Sequence, residues 1–151
     1  MNLVERINAD LKTAMLARDE FTTTTLRGLK SAILYEEVAK GKREEGLSDA
    51  EIESVVASEI KKRDDALKIY VAAGDDERAG KEDREWKILA KYLPEQLSYE
   101  ELTEKLREII AANNFDPQKD FGKIIGLAKK ELGNTTTGEK IANALKQEFV
   151  K

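Results

Sequence analysis

Apolar residues recur along this chain every three or four positions, which is the spacing of one face of an α-helix. In the first segment this stripe consists of Val4, Ile7, Leu11 and Met15. β-branched residues never alternate with polar ones, and the whole chain contains 2 prolines, so no strand pattern competes with the helical one. The sequence therefore predicts an all-α protein with seven helices.

Capping residues, glycines and prolines set the expected helix boundaries. Ser48 with Glu51, and Ser98 with Glu101, are spaced as capping boxes, in which two side chains bind the free backbone N–H groups at a helix start. Pro94 ends the fourth helix because the residue before a proline avoids helical geometry. The seven predicted helices reach from the N-terminus to about Arg18, from Asp19 or Glu20 to about Lys40, from Ser48 to Gly74, from about Asp76 to Leu93, from Ser98 to Asn113, from about Pro117 to Leu132, and from about Thr137 to Phe149.

The segment around Pro94 also predicts a domain boundary. On one side lies an N-terminal helical unit of about four helices, residues 1–94, and on the other a three-helix C-terminal unit, residues 95–151. A unit of under about 60 residues buries little apolar surface, so the second one should be only marginally stable by itself.

Composition removes several classes of function. The chain has 0 His and 0 Cys. This excludes sites that use histidine, the commonest general base, and sites that use a cysteine thiolate as metal ligand or nucleophile. The chain also lacks the glycine-rich loops that bind phosphates in nucleotide-binding enzymes. We therefore predict no catalytic residues, no metal site and no cofactor. With no apolar run of about 18 residues, the chain reads as a cytoplasmic protein with no membrane partner.

One charged residue lies on an apolar helix face. At about 100° per residue, Arg63 falls within the arc of Ile52, Val56 and Ile60. Glu37 falls in the same way beside the apolar stripe of the second helix. Two interpretations remain open: Arg63 extends to water along the edge of the stripe, or it forms a structural ion pair with Glu37, with Glu36 as the next candidate.

The sixth predicted helix has an apolar face and, opposite to it, a face of lysines and glycines. The second face carries Gly122, Lys123, Gly126, Lys129, Lys130 and, just past the helix end, Gly133, with Lys119 and Lys140 at its margin. Glycine destabilises a helix by about 0.5 to 1 kcal/mol relative to alanine, so two glycines on a solvent face need an explanation. Either a neighbouring helix packs closely there, or the face admits another backbone, such as that of a nucleic acid.

Four segments resemble the YqeY family, the stand-alone relatives of the tail domain of the GatB subunit of glutamine-dependent aspartyl/glutamyl-tRNA amidotransferase. They are LRGLKSAI at 26–33 followed by Glu36 and Glu37, EIKKRD at 59–64, YLPEQLS at 92–98, and GKIIG at 122–126 followed by Gly133. This chain differs from the pattern of the family at Asn134 and at the Thr135–Gly138 turn.

This resemblance implies a non-catalytic accessory module that binds tRNA or another structured RNA, or that meets a protein of the aminoacyl-tRNA or amidation machinery. A description of this chain as a carbon–nitrogen ligase would rest on kinship alone, because the catalytic parts of the amidotransferase lie on other subunits and domains. The alternative hypothesis is a helical protein-interaction adaptor without direct RNA contact, favoured by the long amphipathic N-terminal helices.

Overall fold

Short polar side chains start six of the seven α-helices, each by accepting a hydrogen bond from a backbone N–H of the first turn. The computed structural model describes residues 1–151 and contains no β-strand, so the all-α prediction is confirmed. The helices are α1 (Leu3–Leu16), α2 (Glu20–Ala39), α3 (Asp49–Ala72), α4 (Asp76–Ala90), α5 (Tyr99–Asn113), α6 (Phe121–Leu132) and α7 (Gly138–Glu148), with a short 3₁₀ helix at Gly133–Thr135. None of these helices combines the length and apolar character needed to cross a membrane.

Both predicted capping boxes are confirmed. At the start of α3, the Glu51 N–H donates to Ser48 Oγ at 3.2 Å and the Ser48 N–H donates to Glu51 Oε1 at 3.0 Å. Ser98 and Glu101 repeat the arrangement at the start of α5. A third capping box, formed by Asn2 and Glu5, opens α1 and was not predicted.

The chain divides into two compact units, Met1–Leu93 and Pro94–Lys151. The first unit contains α1 to α4, and α3 packs most extensively against α4. Its core is built from the inward stripes of these helices: Ile7, Leu26, Leu29, Ile33, Leu47, Ile52, Val56, Ile60, Leu89 and Tyr92. Pro94 therefore belongs to the second unit, and α4 ends at Ala90 rather than at Leu93.

Tyr92 anchors the end of the first unit. Its ring is buried at 3% exposure, and its hydroxyl donates to Asp10 Oδ2 in α1 at 2.6 Å. The Arg6 guanidinium lies 5.1 Å from the ring centroid and donates to the Lys91 carbonyl at 2.8 Å. One aromatic side chain thus joins the segment after α4 to the middle of α1.

The predicted Arg63–Glu37 ion pair was wrong. Arg63 Nε instead donates to Glu85 Oε2 in α4 at 3.1 Å, and its Nη1 donates to Glu59 Oε2 at 2.9 Å. Glu37 pairs with Arg43 at 3.5 Å. Arg63 does lie at the edge of the inward face of α3, but that edge faces α4 rather than α2. Its side chain is 25% exposed, so it neither extends freely into water nor forms a fully buried pair.

Glu51 links the start of α3 to the end of α2. Its carboxylate accepts from the Ser48 N–H and lies 3.1 Å from Lys42 Nζ and 3.2 Å from Lys40 Nζ. The backbone hydrogen bond from Ser48, followed by the bonds from Lys42 and Lys40, lowers the pKa of Glu51 to about 2.

We expect this carboxylate to make the first unit sensitive to acid. A lowered pKa means that the contribution of Glu51 is fully present above its ordinary pKa of 4.5 and is lost as the pH falls toward about 2. Glu51→Gln keeps a side chain that can accept from Ser48 but carries no charge. Urea unfolding followed by Trp86 fluorescence should therefore separate wild type and variant widely at pH 7 and much less near pH 2.5, where most of the contribution is lost. Curves that stay equally far apart at both pH values would contradict this.

The second unit contains α5, α6 and α7 around a smaller core, made of Leu102, Leu106, Ile109, Ile124, Ala128, Ile141, Ala144 and Leu145. Charge is polarised in this unit. Residues 95–112 carry 5 acidic and 2 basic side chains, whereas residues 117–151 carry 7 lysines and 4 acidic side chains. The acidic part coincides with α5 and the basic part with α6 and α7.

Candidate nucleic-acid interface

A turn built on two aspartates positions the start of α6. Asp116 Oδ1 accepts from the N–H groups of Gln118 at 2.9 Å and Lys119 at 3.3 Å, and Asp120 Oδ2 accepts from the Asp116 N–H at 2.9 Å. These bonds hold residues 117–120 in a turn. The backbone of Asp120, with φ −103° and ψ 19°, leaves helical geometry, so α6 begins at Phe121 and not near Pro117 as predicted. Because the Asp120 side chain bonds backwards, no side chain caps the first turn of α6.

The apolar face of α6 packs into the core as predicted. Ile124 and Ala128 are fully buried, and Phe121, Ile125 and Leu132 pack around them. This packing fixes the rotation of α6, so that the lysine–glycine face points away from the core. We define the lysine–glycine face as Gly122, Lys123, Gly126, Lys129 and Lys130.

The two glycines of this face lie in open space. Both are exposed, and a Cβ added at Gly122 or Gly126 would meet no atom within 4 Å. The interpretation that they let a helix of the same unit pack closely is therefore wrong. Gly133 differs, because its φ of 56° at the end of α6 is one that side-chain-bearing residues rarely adopt. Gly133 therefore has its role in the turn after α6 and not in the lysine–glycine face.

The lysines of the face are exposed and mostly without acidic partners. Lys129 and Lys130 form no ion pair, and the nearest carboxylate to Lys123 Nζ is Asp120 Oδ1 at 3.9 Å. Lys129 and Lys130 occupy the last turn of α6, where the helix dipole favours cations. Lys140 is exposed in the first turn of α7, as is Lys119 before α6. The face therefore has uncompensated positive charge next to bare helix backbone.

Gln96 holds the turn between α6 and α7. Its Nε2 donates to the Asn134 carbonyl at 2.8 Å and to the Pro94 carbonyl at 2.9 Å, and the Leu97 N–H donates to the Thr135 carbonyl at 2.9 Å. The threonines that follow also have structural roles. Thr135 Oγ1 donates to the Leu132 carbonyl at 2.6 Å, and Thr137 caps α7. The segment after Pro94 thus fixes how α7 follows α6.

We expect Gln96→Glu to destabilise the second unit by about 2 to 3 kcal/mol at pH 7. Each lost hydrogen bond costs about 0.5 to 1.5 kcal/mol, and the new carboxylate would face two carbonyl oxygens. Gln96→Met, which loses the bonds without adding charge, should cost about half as much. Hydrogen exchange of the α6 and α7 amides measures this unit separately. Equal protection in wild type and Gln96→Glu would contradict the role assigned to Gln96.

Hydrogen bonds at helix ends and on the surface account for shifted pKa values of several groups. Hydrogen bonds from the capped turns lower the pKa of Asp19 and of Glu101, and the bond to Glu51 raises the pKa of Lys40. The bond to Glu148 raises the pKa of Tyr99. These groups lie at helix ends and surfaces and form no acid–base pair in a cleft.

Comparison with known proteins identifies the family. The family model described as Yqey-like protein matches residues 4–149, which is nearly the whole chain. The chain belongs to the YqeY-like family. The matched range includes residues of every helix from α1 to α7, so the family match covers both units.

Curated relatives of this YqeY-like chain include fungal proteins named Altered inheritance of mitochondria protein 41, mitochondrial. The Saccharomyces cerevisiae protein is 29% identical over 129 residues, covering 82% of this chain and 68% of the yeast protein. The Clavispora lusitaniae protein is 32% identical over 111 residues, covering 72% of this chain and 62% of its own length. The Vanderwaltozyma polyspora protein is 30% identical over 87 residues, covering 58% and 46% respectively.

Proposed function

We propose that this YqeY-like chain is a non-catalytic RNA-binding module, whose second unit binds structured RNA, with tRNA as the first ligand to test, through the lysine–glycine face. The observation that carries the proposal is the open space above the two glycines of this face, next to Lys129 and Lys130, which form no ion pair. Phosphate backbones bind exposed lysines, and the missing side chains let such a backbone approach the helix closely.

The shape of the face fits the way in which proteins bind RNA helices. Such helices are recognised mainly through shape and through phosphate and 2′-hydroxyl contacts, which require no pocket for a base. The second unit has an excess of lysines on α6 and α7 and an excess of acidic side chains on α5, and this polarity would orient a polyanion toward α6 and α7.

The resemblance to the GatB tail domain narrows the ligand to tRNA and relates the module to tRNA-dependent amidation. The amidotransferase activity itself would then belong to other proteins, with this chain as an accessory. The cytoplasm remains our proposed location, although the fungal relatives are mitochondrial by name.

The proposal is tested by placing a negative charge on the face. Gly126→Glu fits the structure because nothing lies near the added Cβ, and the apolar side of α6 is untouched. The Gly126→Glu substitution should lower the affinity for tRNA about tenfold at about 0.05 M salt, which is about the effect of losing one phosphate contact. Gly80→Glu is the matched control, since Gly80 is an equally open helical glycine in the first unit. Equal affinities of the two variants, or no tRNA binding by wild type, would overturn the proposal.

A further inference from the structure

Exposed apolar side chains concentrate along the two N-terminal helices. Val4, Met15 and Leu34 are 37%, 50% and 42% exposed, although Val4 and Met15 belong to the stripe predicted to face inward. They line two neighbouring depressions along α1 and α2, which share Asn8 and Lys30 and whose linings also include Ile7, Leu11 and Ile33. We call this surface the α1–α2 groove.

The charge of the α1–α2 groove is positive, in contrast to the net charge of −4 of the chain. Lys12 and Lys30 line the groove and form no ion pair. Its acidic lining residue, Glu37, is already paired with Arg43 at 3.5 Å. Arg27 adds a further cation at the edge, where its Nη2 lies 3.9 Å from Met15 Sδ. An occupant would therefore gain by bringing carboxylates to the rim.

The length of the groove matches a helix. Its α1 edge extends from Val4 to Met15, about 16 Å at 1.5 Å per residue. This accommodates about three turns of an amphipathic helix with apolar anchors at positions i, i+4, i+7 and i+11. The acidic amphipathic helix of this chain, α5, is not available to a second copy, because it buries Leu102, Leu106 and Ile109 in its own core.

We propose that the α1–α2 groove is a docking site for an acidic amphipathic helix of a partner protein. Apolar anchors of the partner would cover Val4, Leu11 and Leu34, and its flanking carboxylates would pair with Lys12 and Lys30. The surface lies in the first unit, and the inference does not depend on RNA binding by the second.

A pair of synthetic helical peptides tests this proposal with the full chain. Both carry leucines at the four anchor positions, one with glutamates flanking them and the other with lysines. Fluorescence anisotropy should show that the glutamate peptide binds at least tenfold more tightly than the lysine peptide. The charge-reversed variant Lys12→Glu/Lys30→Glu should invert this preference, because both lysines are replaced by carboxylates. Lys81→Glu/Lys91→Glu, which changes the net charge equally outside the groove, should leave the preference as in wild type.

Several outcomes would overturn the proposal. They are equal affinity for both peptides, no binding of the glutamate peptide at about 1 mM, or a preference unchanged by Lys12→Glu/Lys30→Glu in a variant whose circular dichroism matches wild type. Two other occupants are tested in parallel. Binding to vesicles containing phosphatidylglycerol that the glutamate peptide does not displace would indicate a lipid surface. A dimer that the charge reversal dissociates would indicate a second copy.

Discussion

Replacing Lys123, Lys129 and Lys130 with alanine should lower the affinity for tRNA by about 100- to 1000-fold at about 0.1 M salt. Each phosphate neutralised contributes about 0.7 to 0.9 to the slope of log affinity against log salt. If all three lysines touch phosphates, the triple variant should flatten this slope by about 2 to 3, with the two lines meeting near 1 M salt. The measurement is a tRNA titration at four or more salt concentrations.

The control for this experiment removes three lysines elsewhere. Lys81, Lys87 and Lys91 are exposed in and just after α4, so replacing them with alanine changes the net charge by the same amount. This variant should keep the wild-type slope within about 0.5. Equal flattening in both variants would mean that net charge, and not the lysine–glycine face, determines binding.

Tyr92→Ala should destabilise the first unit by about 4 kcal/mol, because removing a buried aromatic side chain usually costs about 3 to 5 kcal/mol. Tyr92→Phe keeps the ring and loses only the 2.6 Å hydrogen bond to Asp10, a charged acceptor, so its cost should be about 2 kcal/mol. Urea unfolding followed by Trp86 fluorescence measures the free energy of unfolding of both variants, since Trp86 is the single tryptophan of the chain and lies in α4.

A double-mutant cycle and an alkaline titration check the cause. Tyr92→Phe and Asp10→Ala should be coupled by about 1 to 2 kcal/mol. Burial and the hydrogen bond to Asp10 raise the pKa of Tyr92 above its ordinary value of 10. The contribution of the hydroxyl should thus be complete below pH 10 and be lost as the pH rises further, a loss that Tyr92→Phe lacks. Independent effects and parallel pH profiles would contradict the role of this contact.

Local chemistry determined the helix starts that the sequence predicted correctly. Ser48 and Ser98 lie three residues before a glutamate, and the hydrogen bonds that this spacing allows are formed within one turn, without help from the rest of the chain. The start of α6 was predicted less well. Pro117 suits a first helical turn, and Asp116 accepts from the N–H groups of that turn as an N-cap residue does. The turn does not continue into α6, because the backbone of Asp120, with φ −103° and ψ 19°, is not helical.

Contacts between helices were harder to predict, because a helical wheel gives a direction but not the helix that lies there. Arg63 lies on the edge of α3 expected from its angle, yet its partners are Glu59 and Glu85. In the same way, the stripe of α1 was predicted correctly as an apolar face, but Val4 and Met15 are only partly covered and stay 37% and 50% exposed. Which faces are covered depends on how four helices fit together.

The lysine–glycine face was predictable as a face because the opposite side of α6 is so regularly apolar. What the sequence left open was the reason for its glycines. The structure decides between close packing and open space at Gly122 and Gly126, since a Cβ at either position would meet nothing within 4 Å. It also assigns Gly133 to the turn, a role that depends on a backbone angle.

Site-specific photo-crosslinking tests RNA binding by this face most directly. The chain has 0 cysteines, so Lys119→Cys places a benzophenone label at a single site on the margin of the face. Lys105→Cys, on the acidic α5 of the same unit, is the matched control. We predict that irradiation with tRNA at about 0.05 M salt gives a covalent adduct from the label at position 119, which excess unlabelled tRNA suppresses, and little from position 105. Equal adducts from both positions, or an adduct from position 105 alone, would contradict RNA binding through the lysine–glycine face.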